Sequence, residues 1–153
     1  MLGLDPAGSA HFRQVFREFA KDEKGTVFMS SHMMNEVESL CTSVAIIHSG
    51  KMLFRGTADE VVRKVLDYSV VTVETDGLDG ATIKAIKEML NVSELTINAD
   101  NRRADIIIRG HEDLRPSLSE LIVKNGIKLY TIKTADNMLE RAYIEALRGD
   151  KVD

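Results

Sequence analysis

Apolar positions change their period several times along the chain, and each change marks an element. Phe12, Val15, Phe16 and Phe19 recur at i, i+3, i+4 and i+7, which predicts an amphipathic helix running into a charged stretch that Gly25 follows. Thr26 to Met29 is short and rich in β-branched or bulky apolar residues, so it predicts a buried strand. From Met33 the period becomes helical: Met34, Val37 and Cys41 share a face, with Asn35, Glu36, Glu38 and Ser39 mostly opposite. Ser30, Ser31 and His32 therefore fall at a strand-to-helix turn. Val44 to Ile47 and Lys51 to Phe54 predict two more strands joined by a Ser49-Gly50 turn. Thr57 and Glu60 have capping-box spacing at the start of a helix carrying Val61, Val62 and Leu66.

The pattern from Tyr68 onward is a compact βαββαβ succession with a trailing helix. Strands are expected at Val70 to Glu74, Val92 to Ile97, Ala104 to Ile108 and Ile127 to Ile132, with a polar Asp100-Asn101 turn between the second and third. Ile83, Ile86 and Leu90 form one helix stripe, and Leu114, Leu118, Leu121 and Ile122 another, which Gly126 closes. That order matches the ferredoxin-like motif, an antiparallel sheet with both helices on one face. Thr134 is expected to cap a last helix bearing Met138, Leu139, Ala142, Tyr143 and Leu147. The junction is placed at Asp67-Tyr68, giving an α/β segment over 1–66 and an α+β domain over 67–153. No long linker separates them, so the halves are expected to touch.

Composition narrows the possible chemistry. The 153 residues are 44% hydrophobic, enough for a packed core, and no apolar run reaches the length of a membrane span. The N-terminus lacks the charged-then-apolar pattern of a signal peptide. With 24 acidic against 20 basic residues the formal charge is -4 and no basic cluster stands out, which disfavours nucleic-acid binding. A single cysteine, Cys41, leaves no internal disulfide framework and suits a reducing compartment. The four histidines, His11, His32, His48 and His111, show no zinc-site spacing, and no metal site is expected.

Among single residues, His32 draws attention by position, because ligands of open α/β sheets bind at the carboxyl ends of strands. A histidine there serves equally as a hydrogen-bonded structural residue. Ser30 and Ser31 have hydroxyls that can donate to a phosphate, yet serines also stop strands and cap helices. Asp5 reads equally as a turn residue before a helix. There is no G-x-S-x-G elbow for a Ser-His hydrolase. Nor is there a G-x-x-x-x-G-K-[ST] loop; Gly50-Lys51 is followed by Met52.

Four pieces in order make the pattern specific: GLDP at residues 3–6, an amphipathic helix, TVFMSSHMMNEVESLC, and VAIIHSGKMLFRGT. Together they resemble the end of an ABC transporter ATP-binding subunit over residues 1–66. The resemblance implies that GLDP is the D-loop, with Asp5 communicating across a dimer of ATPase domains. It implies that His32 is the switch histidine contacting the γ-phosphate of ATP, with Ser31 beside it. A ring nitrogen at that place can stabilise charge developing during phosphoryl transfer. Residues 68–150 resemble, more loosely, the C-terminal extension of exporter-type members, with TADNMLERAYIEAL as its closing helix.

The resemblance implies ATP and magnesium as ligands of the complete family member, a second ATPase chain and a transmembrane permease as partners, and a cytoplasmic position peripheral to the membrane. The family's phosphate-binding loop, glutamine loop, signature motif and Walker B pair all precede GLDP and are not in this sequence. The expectation is a C-terminal portion that begins inside the ATPase domain, is inactive alone, binds no nucleotide by itself and associates with itself or a partner chain. The competing expectation is a ferredoxin-like regulatory module for a small ligand or partner protein, joined to a vestigial ATPase segment.

Overall fold

The computed structural model describes residues 6–22 and 25–149. Helix α1 spans Pro6–Asp22 and carries the phenylalanine stripe, with the Phe12 and Phe16 rings edge to face at 5.9 Å. Gly25 donates its N–H to the Phe19 carbonyl at 3.3 Å, and the Phe19 ring lies where a Cβ at position 25 would sit. Only glycine allows that approach.

The strand expected at Thr26 to Met29 is not formed. That stretch belongs to no helix or strand, and Phe28 is 93% exposed. A strand exists through its ladder of backbone hydrogen bonds, and no described strand pairs with this segment, so apolar content alone does not make one.

Helix α2, Met34–Leu40, follows, and then the hairpin of β1 (Val44–His48) and β2 (Lys51–Gly56). The hairpin turns through Ser49 and Gly50 at φ 48° and 77°, the positive pair that a two-residue loop needs. Helix α3, Ala58–Val65, opens with the expected capping box. The Thr57 hydroxyl accepts the Glu60 N–H at 3.2 Å, and the Glu60 carboxylate accepts the Thr57 N–H at 2.8 Å.

The second sheet comprises β3 (Tyr68–Thr75), β4 (Val92–Ile97), β5 (Arg103–Arg109) and β6 (Leu129–Thr134), in the order β4-β5-β3-β6 with every neighbouring pair antiparallel. Helices α4 (Gly80–Lys87) and α5 (Arg115–Lys124) follow β3 and β5. Val71, Val73, Ala104, Ile106 and Ile108 bury one face of the sheet against Ile86, Leu118 and Ile122 of these helices. Asp79 caps α4 by accepting the Thr82 N–H at 2.7 Å, and that bond holds its carboxyl below the usual range. Gly126, at φ 78°, ends α5: its N–H reaches the Val123 carbonyl at 3.0 Å, and the Ile127 N–H reaches Ile122 at 3.3 Å. Together these form a Schellman motif.

Three boundaries differ from expectation. Leu90 lies past the end of α4 and is 83% exposed, because the helix closes before the stripe reaches it. The last strand starts at Leu129, two residues later than its apolar run, since Gly126 and Ile127 are spent on closing α5. Thr134 ends β6 instead of capping the last helix, α6 (Met138–Gly149), which starts after Asn137 at φ 65°.

Helix α6 lies back across the first part of the chain. Leu139 and Ala146 are buried with Val44, Ile46 and Val61, while Met138 and Ala142 are buried with Leu66 and Val70. Through Val70 it covers part of the sheet face that α4 and α5 leave open. Strand β3 is consequently buried on both faces, with Val70, Val71, Thr72 and Val73 all in the interior. Thr72 is satisfied there by donating to the Asp105 carboxylate at 2.6 Å.

Candidate functional site

The candidate site is the turn at Ser30 to Met33. Ser31 folds it locally: its hydroxyl oxygen accepts the Met33 N–H at 3.0 Å. The Met33 carbonyl then accepts from Glu36 and Val37 at 3.0 and 3.2 Å, which starts α2. His32 sits at the outer side of this bend, exposed, and makes no hydrogen bond or ion pair with any described residue. Its ring is presented outward with both nitrogens available. Ser31 is half-buried and keeps its O–H for donation. Asp5 lies outside the described residues, so the structure brings together Ser31 and His32 alone of the three candidate positions.

Helix α2, which carries the turn, is held from three directions. Met34, Val37 and Cys41 pack on the cluster of Val44, Ile46, Val61, Leu139 and Ala146. Burial pushes the Cys41 thiol up, the behaviour of a small packing residue and not of a nucleophile. Arg17 of α1 donates through Nη2 to the Ser39 carbonyl at 3.0 Å. Glu38 accepts the Leu139 N–H, the first turn of α6, at 3.3 Å. This contact was hidden in the sequence. Glu38 reads there as a solvated helix face, and nothing local pairs it with a residue 101 positions away. Beside it an open notch of 430 Å³ is lined by Asn35, Glu38, Ser39 and Asp136.

A nucleoside triphosphate and its metal need donors converging from several sides. The described residues offer one imidazole, His32, and two hydroxyls, Ser30 and Ser31, at this turn. No group of three or more His, Cys, Asp or Glu gathers for a metal among the described residues. An exposed ring on an anchored turn is suited to contacting a ligand that other groups hold.

No family model matches the chain. Curated proteins do match, across nearly all of it. The linearmycin resistance ATP-binding protein LnrL of Bacillus subtilis is 27% identical over 144 residues, 94% of this chain and 46% of the relative. The bacitracin transport ATP-binding protein BcrA of Bacillus licheniformis is 25% identical over 150 residues, 98% of this chain and 47% of the relative. The chain is a homologue of ABC transporter ATP-binding proteins. A shorter match of higher identity, 41% over 59 residues, 39% of this chain and 24% of the relative, is to the ABC transporter ATP-binding protein NatA of Bacillus subtilis. The chain spans about half the length of the first two ABC relatives. None of the helices formed by described residues is long and apolar enough to cross a membrane.

Proposed function

We propose that the chain acts as the C-terminal portion of the ATP-binding subunit of an exporter-type ABC transporter. In this reading residues 1–66 complete an ATPase domain, and 67–153 form a ferredoxin-like accessory domain. The observation that carries it is the match to ABC ATP-binding proteins over 94–98% of the chain. The sequence pieces around His32 support it in detail. The names of two relatives, which speak of linearmycin resistance and bacitracin transport, favour export. The antiparallel order β4-β5-β3-β6 with two helices on one face supports the ferredoxin-like assignment of the second half.

The residue roles follow from that reading. His32 contacts the γ-phosphate of a Mg-ATP whose other contacts lie on other segments, Ser31 shapes the turn beside it, and Asp5 faces a second ATPase chain. A membrane-spanning permease is the partner that ATP turnover drives, so the subunit works at the cytoplasmic face. The isolated chain is expected to bind no Mg-ATP, because one imidazole and two hydroxyls on one turn do not hold a triphosphate.

His32→Ala in the complete subunit tests the assignment. A contact made chiefly to the reacting phosphate acts on the transition state, so turnover should fall by at least tenfold while nucleotide affinity changes little. Unchanged turnover removes His32 from the site. Calorimetry on the isolated chain is the companion measurement: micromolar Mg-ATP affinity abolished by His32→Ala contradicts the view that other segments are needed.

A further inference from the structure

Helix α2 is too weak to stand alone. It has seven residues and no side-chain cap at Met33, and none of its residues is fully buried. Isolated helices of that length do not persist in water, so its order comes from what it packs against. Part of that support is α6, a helix about 100 residues further along the chain. Leu139 and Ala146 lie in the cluster that seats Met34, Val37 and Cys41, and the Glu38 carboxylate accepts the Leu139 N–H at 3.3 Å. That bond is reciprocal in effect. It gives α6, whose own start at Asn137 is strained into positive φ, an acceptor for one of its free N–H groups, and it ties the solvent side of α2 to the last helix. Glu38 is four residues past Met34, about 6 Å along the axis, so it lies one helical turn beyond the Ser31–His32 turn.

We propose that Glu38 is a positioning residue through which docking of α6 orders α2 and, with it, the turn that presents His32. The C-terminal half thereby sets how firmly the exposed ring is held. When α6 lifts, α2 loses its partner at Glu38 and Leu139 together, and the His32 turn loosens. The structural coupling stands on the contacts alone; its consequence for ATP turnover rests on the phosphate-contact reading of His32.

The test uses the full chain and three variants. Glu38→Ala removes the acceptor, Glu38→Gln keeps an oxygen at the same place, and Leu139→Val trims the apolar contact. Hydrogen exchange is read at the Val37 amide of α2 and the Cys41 amide that closes it, at Arg141 of α6, and at Val71 and Val73 of β3 as the internal reference. The ring resonances of His32 are assigned by their loss in His32→Gln.

Loss of one helix-end bond is worth about a threefold to tenfold change in local opening. Glu38→Ala is expected to speed exchange by that factor in both α2 and α6, to shift the His32 ring signals and to leave β3 unchanged. Glu38→Gln is expected to stay close to the parent. Faster exchange in α6 with α2 and His32 unaltered overturns the coupling, and so does no change in either helix. If Glu38→Ala loosens β3 as well, Leu139→Val is read by the same criteria.

In the complete subunit, Glu38→Ala is expected to lower turnover, with Glu38→Gln restoring it. Failure of His32→Ala to affect turnover would end the phosphate reading while leaving the exchange result standing. Coupling that fails by exchange leaves the His32 assignment intact.

Discussion

At the scale of single residues, the capping box is the feature whose energetics follow most directly from chemistry. Thr57→Ala removes the acceptor for the Glu60 N–H and is expected to cost about 1 kcal/mol, read as a lower urea midpoint with unchanged slope. Glu60 adds a pH dependence. The hydrogen bond from Thr57 holds its carboxyl below the usual range in the folded state. The folded chain therefore releases this proton more readily than the unfolded one. The contribution is present above the unfolded pKa and is lost as pH falls through the lowered folded pKa. The stability gap between the parent and Glu60→Ala should accordingly narrow on acidification. Asp113, held down to about 2 by Arg115, is exposed, and its ion pair with Arg115 should be nearly silent in stability. The deep core behaves differently. Ile106 and Ile86 are fully buried between sheet and helices, and truncating either to Ala is expected to cost about 2–5 kcal/mol.

At the scale of elements, α6 decides how separable the two halves are. Residues 68–148 contain every strand of the second sheet, and each strand has its partner within that segment. We expect the segment to unfold cooperatively on heating, and a broad, non-cooperative transition counts against placing the junction at Asp67-Tyr68. Within it α6 would keep Met138 and Ala142 on Val70 but lose the seat of Leu139 and Ala146 on β1, β2 and α3. Leu139→Ala should therefore cost about 2–5 kcal/mol in the full chain and far less in the segment, because a side chain already exposed leaves no cavity when cut back. Equal costs in both would place Leu139 in the core of the second half instead.

At the scale of the whole molecule, the first helix and the stretch after it leave apolar surface uncovered. Phe12, Val15, Phe19, Val27 and Met33 are all more than a third exposed, and Phe28 almost wholly so. Burying such a side chain is worth roughly 1.5–3 kcal/mol, so several together approach the 5–15 kcal/mol net stability of a domain. The chain by itself is expected to associate with a second copy through this face. Sedimentation should show a concentration-dependent dimer or larger species, shifted toward monomer by Phe12→Ser combined with Phe28→Ser. A strict monomer at all concentrations refutes it.

What the sequence determined is local. Helical and alternating periods located the elements, and the Thr57–Glu60 spacing, the Ser49-Gly50 pair and Gly126 marked three ends, because each acts through atoms a few residues apart. The helix start after His32 was legible for the same reason, although the strand expected before it is not formed. The four pieces of the family resemblance are also linear text, and the similarity to ABC ATP-binding proteins bears them out as a family assignment. Tertiary structure decided what depends on a distant partner. Thr26 to Met29 has strand composition but pairs with no strand among the described residues, so it is not a strand there. Glu38 looks like a solvated charge until a helix from the other end of the chain offers it an N–H, and Thr134 looks like a cap until β6 takes it into the sheet. Propensity states what a segment tolerates, but a backbone hydrogen bond needs both partners, and for these residues the second partner lies far away in sequence or is not among the described residues.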